Sequence, residues 1–256
     1  MIFDTHAHYD DKAFDGDRDE LLSALQGQGI VKVVNIGSSL EACKQTIRLM
    51  REYDYIYGAI GIHPCDTGEL NEENFQWIKE QCLLDKCVAV GEIGLDYYWD
   101  EPDRQTQKFW FCRQLQLARE LQLPVVIHSR DAAQDTLELM KRESADKIGG
   151  VMHCFSYTKD TANVILDMGF YVGVGGVVTF KNGKKLKEAL EEIPLERIVV
   201  ETDSPYLAPE PNRGKRNSSL NLPYILEAIA QVKGISKQEA EERTYENAMK
   251  LYSKIK

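Results

Sequence analysis

The sequence predicts an α/β fold, a (β/α)8 TIM barrel formed as a single domain over residues 1–256. Three observations predict it. Short β-branched apolar runs alternate with amphipathic stretches nearly throughout, the pattern of successive βα units around a parallel sheet. About eight such units can be counted, as a barrel requires. The strand runs are apolar without alternation, which suits strands covered on both faces.

Taken in order, residues 2–4 form the first expected strand and lead into Thr5-His6-Ala7-His8. Residues 31–36 form the second, and 55–62 the third, which leads into His63-Pro64. The fourth, 88–92, ends on Glu92. Residues 104–121 read as an amphipathic helix, with Phe109, Cys112, Leu115 and Ala118 or Arg119 recurring at three- to four-residue steps on its packed face. The fifth strand, 124–128, ends on His128 and the sixth, 150–153, on His153. Strands seven and eight fall at 171–174 and 198–201, the latter just before Asp203. Residues 204–219, with Pro205, Pro209, Pro211 and Gly214, read as a long functional loop. Ser236-Lys237-Gln238-Glu239 forms a capping box that opens a last helix, with Ser236 as its N-cap.

The chain carries 31 Lys and Arg against 41 Asp and Glu, a formal charge of −10. That balance argues against a protein that coats duplex nucleic acid, which must neutralise many phosphates. It leaves room for a local basic rim at Lys181, Lys184, Lys185 and Lys187, or at Arg213, Lys215 and Arg216. No apolar run reaches the roughly 20 residues that span a bilayer, and the opening Met-Ile-Phe-Asp lacks the segments of a signal peptide. A cytoplasmic protein without membrane contact is expected. The six cysteines show no C-x-x-C spacing and read as reduced and structural. Cys154, next to His153 in an expected strand, should face away from it.

All five histidines lie at or just past the carboxyl end of an expected strand, the face on which parallel α/β folds place their active sites. One histidine there is more often structural; five converging are hard to explain by packing. His6 and His8 form an H-x-H pair whose spacing puts both imidazoles on one face of an extended chain, an arrangement suited to a divalent transition metal. Glu92 and Asp203 add carboxylates at strand ends, although either alone would read as a helix N-cap or a solvated acid. His6, His8, Glu92, His128, His153 and Asp203 are too many ligands for one tetrahedral ion and about right for two, roughly 3.5–4 Å apart.

The chain resembles the TatD family of metal-dependent deoxyribonucleases, within the wider amidohydrolase group, over essentially its full length. The matching segments are Phe3-Asp4-Thr5-His6-Ala7-His8, Gly61-Ile62-His63-Pro64, Gly91-Glu92-Ile93-Gly94-Leu95-Asp96-Tyr97-Tyr98, Ile127-His128-Ser129-Arg130-Asp131-Ala132, His153-Cys154-Phe155-Ser156, Thr179-Phe180-Lys181-Asn182 and Glu201-Thr202-Asp203-Ser204-Pro205-Tyr206-Leu207. The resemblance implies that His6, His8, Glu92 and Asp203 hold one metal and that Glu92, His128 and His153 hold the other. Glu92 then bridges, and Asp203 orients or deprotonates the attacking water. It makes His63 a phosphate contact, a support for the ligands or a structural hydrogen-bonding group. Arg130, Arg213 and Arg216 become candidate phosphate contacts, since guanidinium forks suit phosphate. Two departures stand out. Ser218-Ser219 replaces the usual Glu-Pro and Tyr157 a usual Gly, and both are expected to bear on substrate choice.

The implied function is hydrolysis of single-stranded DNA ends as a 3′-5′ exonuclease by a monomer. Two divalent ions would serve, with zinc, manganese, iron, nickel or magnesium all compatible with the donors. The alternative is a deacylase or ester hydrolase, for example on aminoacyl-tRNA, favoured by a closed apolar pocket. A scaffold that has lost catalysis would show a broken ligand set, and all six positions are intact.

Overall fold

Eight strands follow one another in chain order around a single parallel sheet: β1 (Ile2–Ala7), β2 (Ile30–Ile36), β3 (Ile56–Ile60), β4 (Cys87–Asp96), β5 (Val125–Arg130), β6 (Gly150–Met152), β7 (Tyr171–Val174) and β8 (Ile198–Val200). The computed structural model describes residues 1–256. Helices α1 (Arg18–Leu25), α2 (Leu40–Glu52), α3 (Glu72–Cys82), α4 (Arg104–Leu121), α5 (Ala133–Arg142), α6 (Lys159–Asp167), α7 (Lys184–Glu192), α8 (Leu222–Lys233) and α9 (Lys237–Leu251) complete the chain. The ring closes where Ala7 bridges Ser204 in parallel. There the His8 N–H donates to Ser204 O at 2.7 Å and the Asp203 N–H to His6 O at 2.9 Å. The contacts that shut the barrel are therefore made by the residues that carry its chemistry.

Two apolar layers hold the barrel. The larger lies between the strands and the surrounding helices, where Val33, Ile60, Val90, Ile127 and Val174 meet residues such as Ile47, Ile78, Phe111 and Ile229. The smaller gathers Phe3, Val34, Ala59, Val88, Val126, Val151 and Val199 with Ala248, Leu251, Tyr252 and Ile255. Here the end of α9 covers the strand starts, and the Tyr252 hydroxyl donates to Thr5 O at 3.1 Å. Lys254 adds ammonium bonds to Leu84 O and Cys87 O, ahead of and at the start of β4. The barrel is thus plugged at its amino-terminal end and open at the other. As expected, α9 begins with the Ser236 hydroxyl accepting from the Glu239 N–H.

The strand boundaries differ from expectation where polar residues continue a ladder. β4 runs four residues past Glu92 because Ile93, Gly94, Leu95 and Asp96 pair with Ile127, His128, Ser129 and Arg130 of β5. Glu92 is therefore inside a strand, as are His6 in β1 and His128 in β5. Gly94 permits this: at φ 150°, a Cβ there would stand 1.9 Å from His128 O. β3 stops at Ile60 because the side chain of Gln114, from α4, takes over both the N–H and the carbonyl of Ile62, at 2.8 and 3.1 Å.

Helix α4 spans the expected residues but packs on a different stripe. Phe109 is 52% exposed, and Arg119 is also on the outside. The buried face carries Gln107, Trp110, Phe111 and Gln114 beside the expected Cys112, Leu115 and Ala118. Two buried glutamines, seven residues apart in the sequence and so on one helix face, rotate the stripe because each satisfies the peptide at the end of a strand.

Candidate metal centre

The two oxygens of Glu92 face different pairs of imidazoles. Oε2 lies 3.5 Å from His6 Nε2 and 3.8 Å from His8 Nε2, whereas Oε1 lies 2.9 Å from His128 Nδ1 and 2.7 Å from His153 Nε2. Asp203 joins the first pair through Oδ1, at 3.5 Å from His6 and 3.4 Å from His8. The two Nε2 atoms of the H-x-H pair are 3.1 Å apart. Asp203 reaches this position from the turn after β8, with φ 57° in the left-handed region that Asp tolerates better than most residues.

These distances bear on whether the side chains fit a cation. Donor atoms about 2.0–2.2 Å from a tetrahedral ion lie roughly 3.3–3.6 Å from each other, and the His6, His8, Glu92 and Asp203 atoms fall around that spacing. Two imidazole nitrogens face each other with carboxylate oxygens as neighbours, so lone pairs converge on one point. His128, His153 and Glu92 Oε1 form a tighter triangle, closed by 3.3 Å between the two histidines. The chemistry of the donor set suits divalent metals, and Glu92 is the residue shared by both groups.

Electrostatics follow from this crowding. Burial alone would raise Glu92, but the imidazoles of His153, His128 and His6 overcome it and hold the carboxyl well below its usual range. Asp203 is lowered in the same way, by the His8 hydrogen bond and the His6 charge against the cost of burial. His6 is pushed down to about 4 by burial and by His153, whose ring stacks on it at 4.0 Å. His8 and His153 go the other way, up to about 9 and about 10, because Asp203 and Glu92 outweigh burial.

Around the ligands stand further carboxylates that the sequence patterning does not single out. Asp96 Oδ2 is 3.1 Å from His128 Nε2, so it orients the ring whose other nitrogen faces Glu92. Its backbone is clamped by Gln107, which accepts from the Asp96 N–H at 2.9 Å and donates to its carbonyl at 3.1 Å. Glu201 is fully buried beside His153, 3.7 Å from Nδ1, and accepts the Cys154 N–H. Burial raises Glu201 to about 8, and its Oε2 has no partner. Asp4 anchors β1 to the turn after β8 by accepting from Thr202 Oγ1 at 2.7 Å and Ser219 Oγ at 2.6 Å. Asp96 and Glu201 sit at carboxyl ends of strands like the ligands themselves; that position is the signal that could have found them.

A cavity of about 550 Å³ opens above this centre, lined by His8, Glu92, His128, His153 and Asp203 together with His63 and Arg130. His63 lies edge-on to His128 with ring centres 4.3 Å apart, and its Nδ1 accepts the Cys65 N–H. Arg213 and Arg216 are not brought to the cavity. Arg213 stacks on Phe180 at 4.2 Å, and Arg216 forms a two-pronged pair with Asp17 at 2.6 Å. The lysines of 181–187 likewise stand outside it.

The two departures from the family pattern also lie off the cavity. Ser219 is buried against Asp4 and Tyr9, and Tyr157 donates to Ser129 O at 2.9 Å, bracing the end of β5. Both act on the framework rather than on the mouth. Cys154 does not follow the strand alternation expected of it, because β6 ends at Met152 and Cys154 turns with φ 45°; it is not among the lining residues.

A parallel barrel that gathers imidazoles and carboxylates at its carboxyl mouth is the arrangement of a metal-dependent hydrolase. Residues 3–253 match the family described as TatD related DNase, and the chain belongs to that family. It is similar to the metal-dependent hydrolase YabD of Bacillus subtilis (strain 168), with 42% identity over 252 residues, covering 98% of this chain and 99% of that protein. It is also similar to a protein of Cronobacter sakazakii (strain ATCC BAA-894) named 3'-5' ssDNA/RNA exonuclease TatD, 34% identical over 259 residues, covering 99% and 98%. Among solved structures, YJJV, a TatD homologue from Escherichia coli K12, superposes with a TM-score of 0.91 at 28% identity, covering 98% of each chain. No helix is long and apolar enough to cross a membrane.

Proposed function

We propose that this chain is a two-metal phosphodiesterase that trims single-stranded nucleic acid from its 3′ end, acting as a cytoplasmic monomer. The observation that carries the reading is the division of Glu92, one oxygen toward His6 and His8 and the other toward His128 and His153. The relative named as a 3'-5' ssDNA/RNA exonuclease supports the choice of substrate.

His6, His8, Glu92 and Asp203 would hold one divalent ion, and Glu92, His128 and His153 a second. Bound there, two cations lower the pKa of water and offset charge growing on phosphate oxygens. Asp203 engages the imidazoles through Oδ1 and lines the cavity, leaving its second oxygen to take the proton of the attacking water. Arg130 supplies a guanidinium to the phosphate, and His63, pushed down to about 3 by burial and by His128, acts as a neutral neighbour. Most lining residues are polar or charged and the cavity is open to solvent, with Trp99, Tyr206 and Leu207 as its apolar members. It therefore lacks the closed apolar pocket that would favour a deacylase.

The test is hydrolysis of a labelled single-stranded DNA oligonucleotide by metal-stripped protein with magnesium, manganese or zinc restored, and Asp203→Ala as control. Metal-dependent shortening from the 3′ end, lost in the variant, is the expected outcome. An intact oligonucleotide with every metal would refute the nuclease reading, and activity on an aminoacyl ester would replace it.

A further inference from the structure

Large apolar side chains exposed on this protein are not scattered evenly. Of nine, four (Tyr98, Trp99, Tyr206 and Leu207) stand at or beside the mouth above the metal centre. Scattered exposed apolar residues need no explanation, but a cluster at a functional opening points to a ligand with an apolar face. Trp99 is 64% exposed and lines the cavity; Tyr206, 54% exposed, lines it too.

The turn that carries Trp99 is also held firmly. The Tyr98 and Trp99 N–H groups both donate to Asp96 Oδ1, at 2.9 and 3.0 Å, and the other oxygen of that carboxylate meets His128. Arg104 pins the outer side of the turn through Asp100, at 2.8 and 3.2 Å. Arg130 covers one face of Tyr98 at 3.8 Å, and the Trp99 ring stands perpendicular to Tyr98 with centres 5.1 Å apart. Tyr98 is thus occupied as a support, and the indole of Trp99 is presented toward the cavity on a braced turn. Across the metal centre, the Tyr206 hydroxyl is tied to Asp11 at 2.8 Å, which fixes that ring as well.

We propose that Trp99 is the stacking platform of a nucleobase subsite, which receives the unpaired base next to the phosphodiester held at the metal centre, with Tyr206 as the opposite wall. The inference rests on the nucleic-acid reading above and adds how the strand is gripped. Stacking on an indole accepts every base, because each has a π face. It also demands that the base be free of its pairing partner and neighbours, so the subsite selects single strands without reading sequence. The wall contributes one guanidinium, that of Arg130, so recognition of the base supplies affinity that phosphate contacts do not.

The test compares the metal-loaded wild type with Trp99→Ala and Trp99→Phe on two labelled single strands, one ending in a 3′ thymidine and one in a 3′ abasic residue. Affinity is read by fluorescence anisotropy with a phosphorothioate at the last linkage to slow cleavage, and KM with the ordinary linkage. The wild type should favour the thymidine end on the order of tenfold; Trp99→Ala should bind both ends alike, and Trp99→Phe should recover most of the preference. A wild-type preference that persists in Trp99→Ala, or a wild type with none, would overturn the subsite. If the Trp99-dependent preference is seen but no metal supports cleavage, the nuclease reading fails and the stacking subsite stands. Cleavage without any preference removes the subsite and leaves the nuclease reading in place.

Discussion

At the amino-terminal end of the barrel, Phe3, Val34, Val88, Val126 and Val199 close on Tyr252 and Ile255, just past the last helix. A few residues farther along three of these strands, His6 and His128 both face Glu92, and His6 also faces Asp203. The first end satisfies its groups with apolar contact and the Tyr252 hydroxyl bond. The second leaves buried polar atoms unsatisfied within the protein, namely His6 Nδ1, His153 Nδ1 and Glu201 Oε2. The contrast shows that this chain gathers polar groups for chemistry at one end and apolar groups for packing at the other. Substitutions at the two ends should consequently separate activity from folding.

Glu92→Ala makes the severest break. It removes the residue shared by both ligand groups, and kcat/KM should fall by on the order of a thousandfold or more, at or above the loss seen when a single transition-state-stabilising donor is removed. Its thermal midpoint should stay near or above that of the metal-free wild type. Near-normal turnover in this variant would sink the shared-ligand arrangement. At the opposite end, Tyr252→Ala should cost about 3–5 kcal/mol in denaturant unfolding, while kcat of the folded fraction holds; a comparable drop in kcat would mean that the two ends are coupled.

Asp96→Asn sharpens the comparison from within the site. His128 turns Nδ1 to Glu92, so its Nε2–H needs an acceptor, and an amide NH2 placed there cannot serve. Metal affinity or activity should drop roughly 10- to 100-fold, the usual effect of losing such a partner, with dialysis against a chelator as the measurement. Unchanged affinity would show that Asp96 does no more than shape its turn. Arg216→Ala should have the smallest effect. Its guanidinium is engaged by Asp17 and stacks on Phe14, so KM for a single strand should be unchanged; a clear rise would bring that loop to the substrate.

Much of this architecture was legible in the sequence, for a physical reason. Strands buried on both faces must be apolar runs, so their order and the barrel they form showed directly in the chain. The H-x-H spacing likewise fixed a shared face for His6 and His8, and their Nε2 atoms do converge. Boundaries were less legible at β4, where Glu92 and two glycines resemble a loop but continue a ladder with β5. Gln107 and Gln114 were unreadable because periodicity treats glutamine as solvent-facing, whereas each replaces a missing strand partner. Asp96 and Glu201 were visible as letters of matching segments, but their contacts come from neighbouring strands. Arg213 and Arg216 show the reverse: a basic loop near the mouth in sequence turns its charges to Phe180 and Asp17.

The cavity wall carries six carboxylates, on Asp10, Asp11, Asp66, Glu92, Asp96 and Asp203, against the guanidinium of Arg130 and the imidazoles of His8, His63, His128 and His153. On the nuclease reading, carboxylates outnumber the cationic groups around them, so loading with cations would ease the entry of a strand of phosphates as well as serve the reaction. On that reading the opening would work as an interlock. In a cell short of the right ion, the enzyme would not wait on bound nucleic acid with its chemistry stalled; it would leave single strands untouched for other proteins to hold.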